Sequence, residues 1–94
     1  MSNEFPGLTL TVIDIAEIRN RTLASNLPVI NWLLQMANEV SLNGDYARRN
    51  AYLKPIREIS NSITSLVNLS IAEIRQIDGV GKSISEGIYK LLHS

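Results

Sequence analysis

The chain has 94 residues, 45% of them hydrophobic, with nine Lys and Arg against nine Asp and Glu. That length provides one domain at most, and a zero formal charge excludes a basic tail or a highly charged disordered chain. The absence of cysteine and the single histidine, His93, exclude disulfides, thiolate metal centres and a Cys nucleophile, and argue against a Ser-His-Asp triad or a His-rich metal site. No apolar run approaches the roughly 20 residues of a membrane span. No basic segment precedes an apolar stretch as in a secretory leader. The expectation is a small intracellular domain that recognises a partner.

Residues 1–7 have turn chemistry and are expected to be loose. Residues 8–13 (LTLTVI) alternate briefly but have no partner strand, so an extended arm leading into a helix is expected. Leu8, Leu10, Val12 and Ile13 of this arm are the candidates for contact with a protein partner or for self-association. Asp14 and Glu17 have capping-box spacing, which predicts a short helix through Ile15, Ile18 and Leu23 to about Ser25. Residues 1–26 are thereby set apart from a domain over 27–94.

Asn26 is expected to cap the next helix, with Pro28 in its first turn, where a missing N–H costs nothing. Ile30, Leu33, Leu34, Ala37 and Val40 form its apolar stripe, and Asn43-Gly44 ends it. Asp45 caps a third helix carrying Tyr46, Arg48, Arg49, Tyr52 and Lys54. Pro55 is expected to kink or break that helix near Leu53. Ile56, Ile59 and Ile63 resume the pattern, and residues 60–69 read as a connection with some helical character. Ser70 and Glu73 form another capping box. Residues 71–75 repeat residues 15–19 (IAEIR) letter for letter, read as two short capped helices with one amphipathic solution. Trp32 and Tyr89 read as packing residues, Arg19 and Arg21 as a solvated face, and His93 as a frayed end.

The stretch that carries chemistry is 71–91, IAEIRQIDGVGKSISEGIYKL. A helix leads into Ile77-Asp78-Gly79-Val80-Gly81, and a second helix follows with Ile84, Ile88, Leu91 and Leu92 on one face. Two glycines allow a tight turn with positive φ and close approach of another molecule. Val80 between them can tuck beneath the turn. The N–H groups of Gly79, Gly81, Lys82 and Ser83 then open the second helix, where unsatisfied donors and a partial positive charge suit a phosphate. Lys82 adds a full charge and Ser83 a hydroxyl. Asp78 opposes a phosphate, or caps the helix entry. A phosphate contact reads no base sequence.

This pattern resembles the helix-hairpin-helix motif of DNA-binding proteins. Together with 32–40 (WLLQMANEV) and 48–59 (RRNAYLKPIREI), it resembles, over about residues 27–92, the N-terminal helical domain of the family X DNA polymerases, typified by DNA polymerase beta. It is also similar to the N-terminal domain of the junction-cutting endonucleases related to XPF. The resemblance implies an all-α fold, a small bundle of four to five short helices ending in the helix-hairpin-helix motif. It implies a 5′-phosphate pocket lined by Arg48 and Tyr52, with Arg49 in place of an aromatic. It also implies a Na⁺ or K⁺ held by the main-chain carbonyls of Arg75, Ile77 and Val80. The lysine with which some family members form a Schiff base falls on Gly87, and a neighbouring phosphate-holding lysine falls on Ser83. Neither Lys82 nor Lys90 takes the nucleophile's place, so no enzyme is expected.

Residues 41–94 hold seven basic and five acidic side chains, and residues 1–40 hold two and four. That is a weak basic footprint for DNA. The function expected is a non-catalytic grip on backbone phosphate at ends, gaps or branches. It belongs to DNA repair or recombination, in the nucleus if the cell is eukaryotic. The alternative is a protein-interaction module on the same fold that has lost DNA binding.

Overall fold

The computed structural model describes residues 5–8 and 10–94. The described residues form an all-α bundle of five helices: α1 (Val12–Arg21), α2 (Leu27–Leu42), α3 (Tyr46–Ser60), α4 (Ile71–Arg75) and α5 (Lys82–His93). Single 3-10 turns over Ala24–Asn26 and Leu66–Asn68 lie in the connections. No helix among the described residues is long and apolar enough to cross a membrane.

The starts of α3 and α4 and the end of α2 fall where local chemistry puts them. Asp45 accepts from the Arg48 N–H at 3.1 Å and starts α3. Ser70 and Glu73 close a reciprocal capping box on α4. Gly44, at φ +85°, ends α2, with its N–H on the Ser41 carbonyl and the Asp45 N–H on the Val40 carbonyl. This pair of bonds satisfies two carbonyls the helix leaves open.

Three expectations about α1 and α3 fail. The cap of α1 is Thr11, not Asp14; Asp14 is the third helical residue and reaches back to the Thr11 N–H at 2.9 Å. The two IAEIR copies are therefore not equivalent: one lies inside α1, the other is the whole of α4. The first helix stops at Arg21 rather than near Ser25, where the Thr22 hydroxyl bonds back to the Ile18 carbonyl at 2.6 Å. Pro55 does not break α3, which runs on to Ser60. Its ring is fully buried beside Ile56 and Ile59, and that burial offsets the hydrogen bond proline removes.

The core is one cluster that α1 to α5 share. Val29, Ile30, Leu33, Leu34 and Ala37 of α2 meet Ile56 and Ile59 of α3, Ile74 of α4 and Ile88 of α5, with Leu66 between. Each valine, leucine or isoleucine among them contributes about 1.5–3 kcal/mol when fully buried. The N-terminal segment joins this core instead of standing free. Phe5 and Leu8 are buried in it with Ile15 and Ile18. Gly7 lies against α2, donating to Asn38 Oδ1 at 2.6 Å and accepting from the Ser41 hydroxyl. Of the arm residues singled out above, Leu8 is thus core, Leu10 is partly buried and Ile13 is exposed. The Val12 side chain lies outside the described residues.

The basic residues of α1 are also engaged. Arg19 donates to Asn31 at 2.9 Å and stands over the Phe5 ring, and Arg21 donates to Ser60 at 3.2 Å. His93 is the last residue of α5, stacked on Tyr89 with centroids 4.2 Å apart.

Asn26 does not cap α2 with its side chain. That side chain is fully buried and clamps the connection before α4. Its Oδ1 accepts from the Leu66 N–H at 2.9 Å, and its Nδ2 donates to the Thr64 carbonyl at 3.0 Å. Ser25 and Ser65 add a hydroxyl contact at 2.6 Å alongside. The segment that delivers α4 and α5 is thereby tied to the start of α2.

Candidate functional site

The turn between α4 and α5 is built by one glycine, not two. Gly79 sits at φ +85°, the left-handed region where other residues are strained. Gly81 is extended, at φ −94° and ψ −169°, which any residue adopts. A Cβ on Gly81 would meet no atom of the described residues within 4 Å. The fold does not require glycine there.

Val80 is 6% exposed and tucks beneath the turn as expected, with its N–H on the Ile77 carbonyl at 3.0 Å. Gly81 opens α5 with no side-chain cap, and no acidic residue stands in that helix's first turn. By contrast α1, α3 and α4 each open on a capping side chain. Lys82 and Ser83 are exposed. Gly79, Val80, Gly81, Lys82 and Ser83 thus make one contiguous ledge of main-chain and side-chain donors at a helix N-terminus. Ser85, a turn further in, is buried with its hydroxyl on the Lys82 carbonyl at 2.8 Å.

Lys54 of α3, placed by the sequence on a helix face but not in the site, is the residue that joins the hairpin. Its stem packs on Gly79, and its ammonium lies 3.2 Å from Asp78 Oδ2. Asp78 is therefore ion-paired and is not the cap of α5. Lys54 is visible in the 48–59 stretch (RRNAYLKPIREI), but its meeting with the hairpin is a tertiary contact.

The other α3 residues lie further back. Arg48 is exposed, in the first turn of the helix. It precedes Lys54 by six residues, about 9 Å of helical rise and some 120° of rotation. Arg49 stays local, 5.2 Å above the Tyr46 ring and bonded to Asn50 at 3.3 Å. Tyr52 is partly buried and packs against the core.

Trp32 and Gly87 face each other across α2 and α5. A Cβ on Gly87 would fall 2.5 Å from Trp32 Cη2 and 2.9 Å from Cζ2. The glycine lets the indole lie on α5. A lysine at this position has no room unless the ring moves.

No model of a known protein family matches the chain, and no curated protein or solved structure shows significant similarity to it.

Proposed function

We propose that the chain is a non-catalytic DNA-binding domain that holds backbone phosphate on the α4–α5 hairpin, at ends, gaps or branches, in repair or recombination. The observation that carries this reading is Gly81. It heads an uncapped 12-residue helix, in a backbone conformation open to any residue, with empty space where its side chain would stand. A phosphate approaching the Lys82 and Ser83 N–H groups accounts for that space. The Lys54–Asp78 pair supports the reading by offsetting the one acidic charge on the turn.

A Na⁺ or K⁺ on the carbonyls of Arg75, Ile77 and Val80 belongs to the same reading. The donor chemistry fits, because main-chain oxygens suit a hard cation and the Arg75 carbonyl lies in the last turn of α4, where helix partners run out. The Ile77 carbonyl keeps one lone pair beyond its bond to Val80. Such an ion would offset repulsion between carbonyl dipoles and phosphate. The non-catalytic part is supported by Gly87, which stands where the resemblance puts the Schiff-base lysine and packs against Trp32.

The test is binding of gapped, 5′-phosphorylated and branched DNA over a salt series. Wild-type protein is expected to bind in the ~10⁻⁴–10⁻⁶ M range, more weakly as salt rises. Gly81→Ala is expected to stay folded and lose affinity. Absence of binding at low salt overturns the reading. It would favour the protein-interaction alternative, for which the 94% exposed Ile63, on the connection clamped by Asn26, is the specific support.

A further inference from the structure

Trp32 is the only tryptophan of the chain, and its ring is not fully enclosed. It is half-buried on α2 and, with Gly87, Lys90, Leu91 and Ser94 of the α5 end, lines an open hollow of about 340 Å³. Among the described residues, no acidic side chain lines this hollow. Leu91 at its edge is 38% exposed, an apolar surface the core does not use. Gly87 lets the edge of the indole rest on α5, and Lys90, one turn on, brings a cation to the lining. A partly open aromatic ring beside an open hollow, and a lysine in the lining, are the components of a site for a flat, uncharged ring attached to a phosphate.

We infer that Trp32, seated on Gly87, offers its open face to the hollow as a shelf on which one unpaired nucleobase stacks, its neighbouring phosphate held by Lys90. The inference rests on the DNA-binding reading above and deepens it. Phosphate on the hairpin carries no preference between duplex and open DNA. A base can reach a side-chain ring only when it is out of the helical stack, as in a gap, a flap or a frayed end. The shelf therefore gives the domain its preference for DNA with unpaired bases. Every base has a π-face, so the preference is for structure and not for sequence.

Because Trp32 is the sole indole, its fluorescence reports on the shelf directly. The full chain is titrated at low salt with an oligothymidylate and with an abasic oligomer of equal length. Saturable quenching by the oligothymidylate, and little by the abasic oligomer, is the expected result. Affinities of variants are read from the anisotropy of labelled oligomers. Trp32→Leu is expected to weaken oligothymidylate binding about five- to a hundredfold, the range for loss of one stacked base. Trp32→Phe, which keeps an aromatic face, retains most of the affinity and decides the matter if the leucine variant fails to fold. Lys90→Gln is expected to lower the salt dependence by about one counterion. Equal affinity for both oligomers, with unchanged fluorescence, overturns the shelf. If Gly81→Ala then weakens both alike, the hairpin reading survives that failure. No binding of either oligomer by the wild type overturns both.

Discussion

Lys54 lies across Gly79. A Cβ on that glycine would sit 2.9 Å from Lys54 Cγ, and the same lysine's ammonium pairs with Asp78 at 3.2 Å. One side chain therefore covers the hairpin with its stem and offsets the hairpin's acid with its head. Both partners are more than half exposed, at 54% and 70%, so the pair is worth about 0–1 kcal/mol to folding. Lys54→Gln is expected to leave the melting temperature nearly unchanged. It exposes the Asp78 charge to an approaching phosphate, so DNA affinity falls and the salt slope drops by about one. Asp78→Asn is expected to raise affinity. Equal affinities for the wild type and both variants would remove this face of α3 from the site.

The two hairpin glycines are expected to separate fold from function. Gly79→Ala places a side chain at positive φ and against Lys54, at a cost of about 1–3 kcal/mol. Gly81→Ala meets no atom and needs no unusual φ. The weaker N-cap and the stiffer unfolded chain nearly cancel, leaving a change within about 0.5 kcal/mol. Urea denaturation of the two variants checks the contrast. Equal destabilisation would mean that Gly81 is a structural glycine and would remove the main support for the phosphate reading.

Asn26→Ala is expected to be among the most damaging substitutions at a polar residue. It leaves the buried Leu66 N–H and the Thr64 carbonyl without their partner, at a cost of about 2–4 kcal/mol. Amide hydrogen exchange at Leu66 should accelerate along with the loss of stability. Normal protection at Leu66 in the variant would show that the clamp is dispensable.

Acid should loosen α1 and α4 through their capping boxes. The Thr11 backbone N–H, and then its hydroxyl, hold the Asp14 carboxyl below its ordinary pKa. Ser70 does the same for Glu73, again chiefly through its backbone N–H. A carboxyl depressed in the folded state stabilises fully above its unfolded pKa and loses that contribution as pH falls through its folded value. The melting temperature is therefore expected to decline as pH drops through and below the ordinary carboxylate range. Asp14→Asn with Glu73→Gln flattens that decline. Parallel profiles for wild type and double variant would show that the boxes carry no pH dependence.

Gly87→Ala sets helix propensity against packing. Alanine gains about 1 kcal/mol in a helix interior, but its Cβ would lie 2.5 Å from the Trp32 ring, and overpacking costs about 1–3 kcal/mol. Net destabilisation and a shifted indole emission are expected. A more stable variant with unchanged emission would show that the contact yields freely.

What could be read from the sequence was local. Asp45, Ser70 with Glu73, and Asn43-Gly44 mark helix ends because each acts on backbone within a few residues. Val80 beneath the turn follows from its place between two glycines. The start of α1 was misplaced because Thr11 and Asp14 can both cap, and only the backbone at Thr11 decides which one does. Pro55 misled because its cost to the helix is visible locally, while the burial that offsets it comes from other helices. The same holds for the site. The ledge from Gly79 to Ser83 is contiguous in sequence and was legible there. Lys54 on Gly79, Trp32 on Gly87 and Asn26 on Leu66 join residues 25 or more positions apart, and no local pattern announces them.

The Asn26 clamp also bears on kinetics. With Thr64 and Leu66 both tied to the start of α2, the α4–α5 hairpin has no loose joint behind it. A ligand on the hairpin therefore meets an element whose leading segment is already anchored on α2. Differences in affinity among related ligands are then expected mostly in how long they stay.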